Sequence, residues 1–170
     1  METPGDNPFT DGEWKDKPWK AKAASRQKQY AAYLKRPDKK KVLKALPFLH
    51  EEAFSKIDCL HCAACCKNYS PRFKTPDIKR ISRHLKMKES IFIDTYLQLD
   101  EDGDYVVKKS PCPFLAEDNR CNIYDVRPSD CHRFPYTDED VLIDRPRITV
   151  KNSSFCPAVF YVLERLLDLK

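Results

Sequence analysis

The sequence predicts an α+β fold: a small, mainly helical, cysteine-rich domain with short β-hairpins and an N-terminal helical arm. Three observations predict it. Apolar residues recur at helical spacing in several segments, pairs of short strand-forming runs flank polar turns, and eight of the 170 residues are cysteine. Apolar residues make up 41% of the chain and charged residues 34%, so we expect one modest hydrophobic core.

The chain is predicted to divide into three parts. Residues 1–18 combine prolines and glycines with polar residues, which is typical of a flexible leader. Residues 19–46 are predicted to form a basic helical arm, because Lys20–Lys35 is rich in Ala, Lys and Gln and contains no helix breaker. Residues 47–170 contain all eight cysteines and form the predicted cysteine-cluster domain.

Two short helices are predicted between the arm helix and the first cysteines. Pro37 should end the arm helix, and Lys39–Leu46 should form the next one. A third helix is predicted to start near Pro47, since proline is tolerated at the first helical position. The chain would then enter its first cysteine-rich turn from a helix.

The clearest helix signal follows this turn, in "TPDIKRISRHLK". Thr75 is a candidate N-cap and Pro76 fits the first helical position. Ile78, Ile81 and Leu85 are three and four residues apart, so they should form one buried stripe. We expect "ESIFIDTYL", over residues 89–97, to form a further short helix.

Two hairpin-like segments come next. In "LQLDEDGDYVVKK", Asp102 and Gly103 separate two strand-forming runs and predict a β-hairpin. "CPFLAEDNRCNIY" repeats the pattern of strand, polar turn and strand, and should bring Cys112 and Cys121 towards each other. "DVRPSDCHRFP" then predicts a proline-bounded turn or short helix that carries Cys131.

The C-terminal segment predicts a helix that packs into the core. Cys156 precedes Pro157, which is well placed to open a helix. The apolar residues at helical spacing are Val159, Val162, Leu163, Leu166 and Leu167.

The cysteines are expected to lie in a reducing compartment. No run of 18 apolar residues exists, and the first thirty residues contain no apolar core of a signal peptide, which predicts a cytoplasmic protein without a membrane partner. Cytosolic thiols are rarely joined in disulfides. Metal ligation or redox chemistry is therefore the expected use of the eight thiols.

The segment "DCLHCAACCKN" carries four cysteines within eight positions. The spacing Cys59-x2-Cys62-x2-Cys65 lets one tight turn point three sulfurs at one centre. Adjacent side chains normally point apart, so Cys65 and Cys66 are not both expected to be ligands of one iron, and one of the pair is expected to face a second metal, a substrate or the core.

The later cysteines are candidates to complete the metal site. All eight are predicted metal ligands: Cys59, Cys62, Cys65, Cys66, Cys112, Cys121, Cys131 and Cys156. A set of sulfur ligands selects zinc or an iron–sulfur cluster over magnesium or calcium, but it does not choose between those two. The domain over residues 47–170 is thus predicted to bind metal.

These motifs resemble the YkgJ-type cysteine-cluster proteins, also called the CxxCxxCC or zinc- or iron-chelating domain. The resemblance rests on "CLHCAACC", "CPFL", "CNIYDVRPSDCHRFP" and Cys156. It implies metal chelation, often by an iron–sulfur cluster. Two departures are Ala63, where the family often has glycine, and His132, where an arginine commonly follows the cysteine. The alanine makes a tight left-handed turn less expected at that position. The histidine makes a contact of that side chain with an anion or a cluster less expected.

The sequence leaves two main functional hypotheses. The first is an iron–sulfur protein used in electron transfer, redox sensing or a reaction that the sequence does not identify. The alternative is a structural zinc module that mediates protein or nucleic-acid interaction. A related domain occurs in flagellin lysine N-methylases, but no glycine-rich cofactor loop supports methyl transfer here, so no catalytic residue, substrate or protein partner is assigned.

The basic arm offers a further nucleic-acid hypothesis. Residues 14–44 carry twelve Lys or Arg side chains against two Asp, which could contact phosphates. A solvated helix face is the favoured interpretation of this charge. Arg127 is likewise expected to have a structural role, tying loop carbonyls through its five N–H donors.

Overall fold

The computed structural model describes residues 13–15 and 18–169. The chain divides into two compact units. The first, named the helical unit here, comprises Met1–Asp58 and Pro135–Lys170. The second, named the cysteine unit, is Cys59–Phe134. The predicted leader over residues 1–18 lies almost entirely outside the described residues, and the predicted domain boundaries remain predictions.

The described residues form ten α-helices and two strands, with 3₁₀ turns at Glu13–Lys15 and Tyr124–Val126. In chain order the elements are α1 Pro18–Lys35, α2 Lys39–Lys56, α3 Cys59–Cys62, α4 Ala64–Asn68, α5 Thr75–His84, α6 Glu89–Tyr96, β1 Leu97–Leu99, β2 Tyr105–Val107, α7 Ser129–Arg133, α8 Val141–Asp144, α9 Pro146–Ser153 and α10 Pro157–Asp168. The predicted small, mainly helical α+β fold is confirmed.

The helical unit is built around α10, which packs against α1, α2 and α9. Helix α10 is buried over most of its length, as its apolar spacing predicted. The rings of Trp19 and Phe160 lie 5.4 Å apart between α1 and α10. Glu164, only 6% exposed, accepts a hydrogen bond from the Tyr30 hydroxyl at 2.7 Å and pairs with Lys22 at 2.6 Å. Apolar packing and this buried polar contact together hold α1 on α10.

The two helices predicted on either side of Pro47 are one continuous helix, so that prediction was wrong. Helix α2 runs through Pro47 from Lys39 to Lys56. Proline cannot donate the usual hydrogen bond and disfavours a helix interior. Packing against α10 outweighs this cost, because α2 buries Val42, Leu46, Leu49 and Ala53 along one face.

The cysteine unit has a smaller core, formed where α5 and α6 meet the hairpin. Strands β1 and β2 pair antiparallel, with Leu97 opposite Val107, and Gly103 turns the chain at a φ of +80°. This confirms the predicted hairpin at Asp102 and Gly103. The buried residues of this core are Phe73, Ile78, Ile81, Phe92, Leu97, Val107, Phe114 and Ile123.

The start of α5 differs by one residue from the prediction. Lys74 rather than Thr75 is the N-cap, and Pro76 lies in the first turn. The reason is the buried carboxylate of Asp77, which accepts a hydrogen bond from the Lys74 backbone N–H at 3.1 Å. The orphan donor at the helix start is therefore paired by a residue further along the chain.

The second predicted hairpin, in "CPFLAEDNRCNIY", is present as a single isolated β-bridge between Leu115 and Cys121 rather than as two paired strands.

None of the helices in the described part of the chain is both long and apolar enough to cross a bilayer.

Candidate metal centre

The first cysteine-rich segment folds as two very short helices, α3 and α4, separated by Ala63. Ala63 is buried and adopts left-handed backbone angles, with φ 46° and ψ 17°. The left-handed turn is therefore present although alanine replaces glycine, at a cost of about 1 kcal/mol for an L-residue. It redirects the chain so that Cys62 and Cys65 lie on different helices.

The side chains of Cys65 and Cys66 lie close together. Their sulfur atoms are 4.0 Å apart, although adjacent side chains were expected to point apart. The difference arises because both lie on α4, where successive residues turn by about 100° rather than alternating. Two thiolates bound to one tetrahedral zinc at ~2.3 Å would be ~3.8 Å apart. The observed separation is close to that value.

A backbone hydrogen bond joins the first segment to the next cysteine. The Cys112 N–H donates to the carbonyl of Cys66 at 2.7 Å. Two residues earlier on this loop, the Ser110 hydroxyl donates to the Lys67 carbonyl at 2.9 Å. These two contacts fix the loop of Cys112 against the C-terminal end of α4.

The chain then returns through a tight turn to Cys121. Leu115 and Cys121 form the antiparallel bridge, and the Asn122 N–H donates to the Phe114 carbonyl at 2.8 Å. Cys112 and Cys121 both pack against the apolar core of the cysteine unit. The part of the site that Cys112 and Cys121 form is therefore bordered by apolar side chains.

Cys131 comes from a third segment, the short helix α7. Asp77 holds the start of α7, since it accepts hydrogen bonds from the Ser129 backbone N–H and hydroxyl, each at 3.1 Å. Asp130, within α7, accepts a hydrogen bond from Arg72, whose Nε lies 3.1 Å from Oδ2. The helix that carries Cys131 is thus held by contacts of two buried carboxylates.

The thiols differ in how easily they ionise. A hydrogen bond from Cys65, opposed by burial and helped by Lys67, lowers the pKa of Cys66 to about 7. Burial raises the pKa of Cys112 to about 11, and the negative charge of a Cys66 thiolate adds to that shift. Of Cys66, Cys112, Cys121 and Cys131, Cys66 is therefore the thiol that is most readily available as a thiolate at neutral pH.

Cys121 and Cys131 belong with Cys66 and Cys112 to one set of electrostatically interacting thiols, named the electrostatic group. Burial raises the pKa of both, and charge at Cys66 raises each further. Cys131 also responds to Cys112 and Cys121, so the four sulfurs lie within electrostatic reach of one another. A metal cation would reverse the mutual repulsion that keeps these thiols protonated.

The donor chemistry fits a thiophilic metal, although the final ligand distances are not formed. Among the described residues, no three His, Cys, Asp or Glu side chains are close enough to hold an ion as they stand. Four grouped thiols from three chain segments nevertheless provide the soft ligands that zinc and iron–sulfur clusters prefer. Closing the group around a metal would require side-chain adjustment.

The predicted ligands divide into three sets. Cys66, Cys112, Cys121 and Cys131 form the electrostatic group, with Cys65 beside Cys66. Cys59 and Cys62 lie on α3 in the same unit, Cys59 exposed and Cys62 half-buried. Cys156 is buried in the helical unit, where it is the N-cap of α10.

Arg127 has the structural role that the sequence predicted. Its Nη1 donates to the Tyr124 carbonyl at 2.7 Å, and its guanidinium lies 3.9 Å from the centre of the Tyr124 ring. His132 is exposed, and its pKa is below the ordinary value because of partial burial and the nearby charges of Arg127 and Arg80.

Sequence reasoning did not identify Asp130 as part of this region. Its carboxylate is buried beside Cys131 in the chain, and its charge acts on the Cys131 thiol. The only available signal was its position between two motif residues, since an Asp in a proline-bounded loop is usually solvated.

Comparison with known proteins supports metal chelation. Residues 58–157 match the CxxCxxCC family, described as a putative zinc- or iron-chelating domain. No match was found among curated proteins or among solved structures. The family match covers more than half of the chain and includes all eight cysteines, so the chain belongs to the CxxCxxCC family.

Proposed function

We propose that the cysteine unit binds an iron–sulfur cluster through Cys66, Cys112, Cys121 and Cys131, and that the protein acts in electron transfer or redox sensing. One observation carries the proposal. Thiols from three separate chain segments lie within electrostatic reach of one another, and the family is a zinc- or iron-chelating one. Such a cluster would supply one-electron chemistry.

The spacing of the first cysteines favours a cluster over one ion. Seven of the eight cysteines belong to the cysteine unit. Three of these lie outside the proposed ligand set, Cys59, Cys62 and Cys65, and they follow the C-x2-C-x2-C spacing of ferredoxin-type sites. They are available to complete or exchange the coordination of a cluster.

The surroundings of the thiols also favour redox use. Cys112 and Cys121 pack against the apolar core, which limits solvent on one side and would influence a reduction potential. The pKa of Cys66 is lowered to about 7, chiefly by its hydrogen bond with Cys65 and also by Lys67. This chain would therefore offer one ready thiolate first and deprotonate the buried thiols as metal charge arrives.

A structural zinc site is the second candidate, and the Cys65–Cys66 geometry favours it. Their sulfur separation of 4.0 Å is close to the edge of a tetrahedral zinc–thiolate site. In this case the metal would stabilise the loops of the cysteine unit, and its surface would serve as a binding module.

Anaerobic purification followed by analysis of iron, zinc and acid-labile sulfide distinguishes the two candidates. We expect iron and sulfide in similar amounts, with visible absorbance. Stoichiometric zinc in a colourless protein without sulfide would support the structural alternative. A chain with its thiols reduced that holds neither metal would exclude both.

Serine variants test the ligand assignment. Cys66→Ser, Cys112→Ser, Cys121→Ser and Cys131→Ser should each lower bound metal, and the sequence predicts the same for Cys59→Ser, Cys62→Ser and Cys65→Ser. Cys156→Ser tests the remaining predicted ligand, which lies in the helical unit. Full metal content in every variant of the first four would contradict the proposed centre.

A further inference from the structure

Asp130 is the most deeply buried carboxylate next to a proposed ligand. Its side chain is 1% exposed, and it directly precedes Cys131 on α7. Arg72 contacts only one of its oxygens: the backbone N–H and Nε both donate to Oδ2, at 3.3 and 3.1 Å. Half of the Arg72 side chain is exposed, so its charge is only partly desolvated.

The other oxygen, Oδ1, is buried and has no hydrogen-bond partner among the described residues. A buried anionic oxygen without a partner is costly, because it has lost water and gained nothing in return. Native proteins pair nearly all such atoms, so an exception indicates an unseen water, ion or ligand.

Asp77 provides an internal comparison. It is also buried, at 2% exposure, lies in the same unit and pairs with an arginine. Both of its oxygens are paired, Oδ1 with Arg80 and the Ser129 N–H, and Oδ2 with Lys74 and the Ser129 hydroxyl. Burial of a carboxylate in this fold is therefore compatible with full pairing, and the unpaired oxygen is particular to Asp130.

We propose that Asp130 Oδ1 is an oxygen ligand of the metal centre that includes Cys131, so that the centre has a mixed sulfur and oxygen ligand set. This inference rests on the proposed function. Arg72 fixes Oδ2 and leaves a single oxygen for the metal, which suits one-oxygen coordination. Zinc and iron both accept a carboxylate oxygen beside sulfur ligands. A carboxylate beside the thiols also favours a divalent ion over a monovalent one.

Asp130→Asn isolates the unpaired oxygen. The asparagine carbonyl can still accept from Arg72, whereas its NH₂ group would occupy the position of Oδ1 and cannot ligate metal. The variant therefore keeps size and anchoring while it removes the proposed ligand. Glu164→Gln is the control, since it makes the same carboxylate-to-amide change at a buried carboxylate of the helical unit whose oxygens are paired with Tyr30, Arg26 and Lys22.

The experiment loads the full chain with ¹¹³Cd²⁺ after metal removal and records the cadmium NMR resonance, whose position reports the number of sulfur and oxygen ligands. We expect Asp130→Asn to move the resonance and to weaken cadmium affinity by about tenfold or more. Glu164→Gln should keep the wild-type resonance. An unchanged resonance and affinity in Asp130→Asn would overturn the inference, and would indicate that Oδ1 contacts water only.

Asp130→Cys keeps the test decisive if the asparagine variant fails to fold. Sulfur in place of the oxygen should shift the resonance towards sulfur-rich values, and an unshifted resonance would again count against Asp130 as a ligand. The two proposals fail differently. If the wild-type chain takes up no more cadmium than the Cys66→Ser variant, the proposed metal centre is contradicted. Normal uptake with a resonance that Asp130 does not influence contradicts only the present inference.

Discussion

The two units of this protein are stabilised in different ways. The helical unit packs four helices through large buried side chains and contains the buried contact of Glu164 with Tyr30 and Lys22. In the cysteine unit, three of the five helices have only four or five residues, and the sheet has two strands. Its apolar core is small and is extended at its edge by Cys112 and Cys121.

The difference indicates which unit needs metal. Short helices and a two-stranded sheet are marginal without tertiary support, and small cores commonly need a crosslink. A metal that joins three chain segments provides such a crosslink. We expect the helical unit, whose core contains more large buried side chains, to depend less on metal.

The largest expected effect is the response of the cysteine unit to metal loss. Chelation, or Cys66→Ser, should lower amide protection in α4 and around Cys112 by about 100-fold or more, because metal binding contributes directly to folding. Hydrogen exchange measured by mass spectrometry locates the change. Protection in α2 and α10 should remain. An equal loss in α10 would contradict the contrast between the units.

The next effect lies in the helical unit. Glu164→Ala should lower the free energy of unfolding by about 2–3 kcal/mol, because it leaves the buried Tyr30 hydroxyl unpaired. Lys22 is nearly half exposed and would be solvated again, so Lys22→Ala is the matched control and should cost less than about 1 kcal/mol. Urea unfolding followed by tryptophan fluorescence measures both. Equal losses in the two variants would show that the hydroxyl contact is not the main contribution.

Local signals in the sequence were enough to predict several elements. The Asp102–Gly103 turn, the stripe of Ile78 and Ile81 in α5, and the start of α10 at Pro157 all depend on neighbouring residues only. Pro47 was misinterpreted because its tolerance within α2 depends on packing against α10. Helices α8 and α9 were not predicted, since their four and eight residues carry little periodic signal.

The site was predictable in composition but not in arrangement. Spacing predicted that the cysteines are ligands, whereas the grouping of Cys66 with later thiols depends on its backbone hydrogen bond with Cys112. No sequence pattern encodes that contact. The burial of Asp130 is likewise a tertiary property, because it depends on Arg72, which lies 58 residues away in the chain.

Alkaline pH should weaken the helical unit through Tyr30. Burial, together with its hydrogen bond to Glu164, raises the pKa of Tyr30 well above the ordinary value. The folded state therefore holds this proton after the unfolded chain has released it. Stability is fully present below roughly pH 10 and falls by about 1.4 kcal/mol per pH unit above it. Tyr30→Phe should make this fall shallower, as measured by urea midpoints between pH 9 and 11; an unchanged slope would contradict the assignment.

The smallest expected effect is the loss of stability on substitution of Gly103. It tests whether backbone strain in the hairpin can change without a change in metal binding by the cysteine unit. Gly103 has a φ of +80°, and an added Cβ would meet nothing within 4 Å among the described residues, so Gly103→Ala should cost only backbone strain, about 1 kcal/mol. Gly103→Asn is the control and should cost less, since asparagine tolerates positive φ better. Both variants should retain full metal content, in contrast to Cys66→Ser, because the turn lies outside the three segments that carry the thiols. Thermal unfolding and metal analysis together test this, and metal loss in Gly103→Ala would mean that the hairpin and the thiol group fold as one cooperative element.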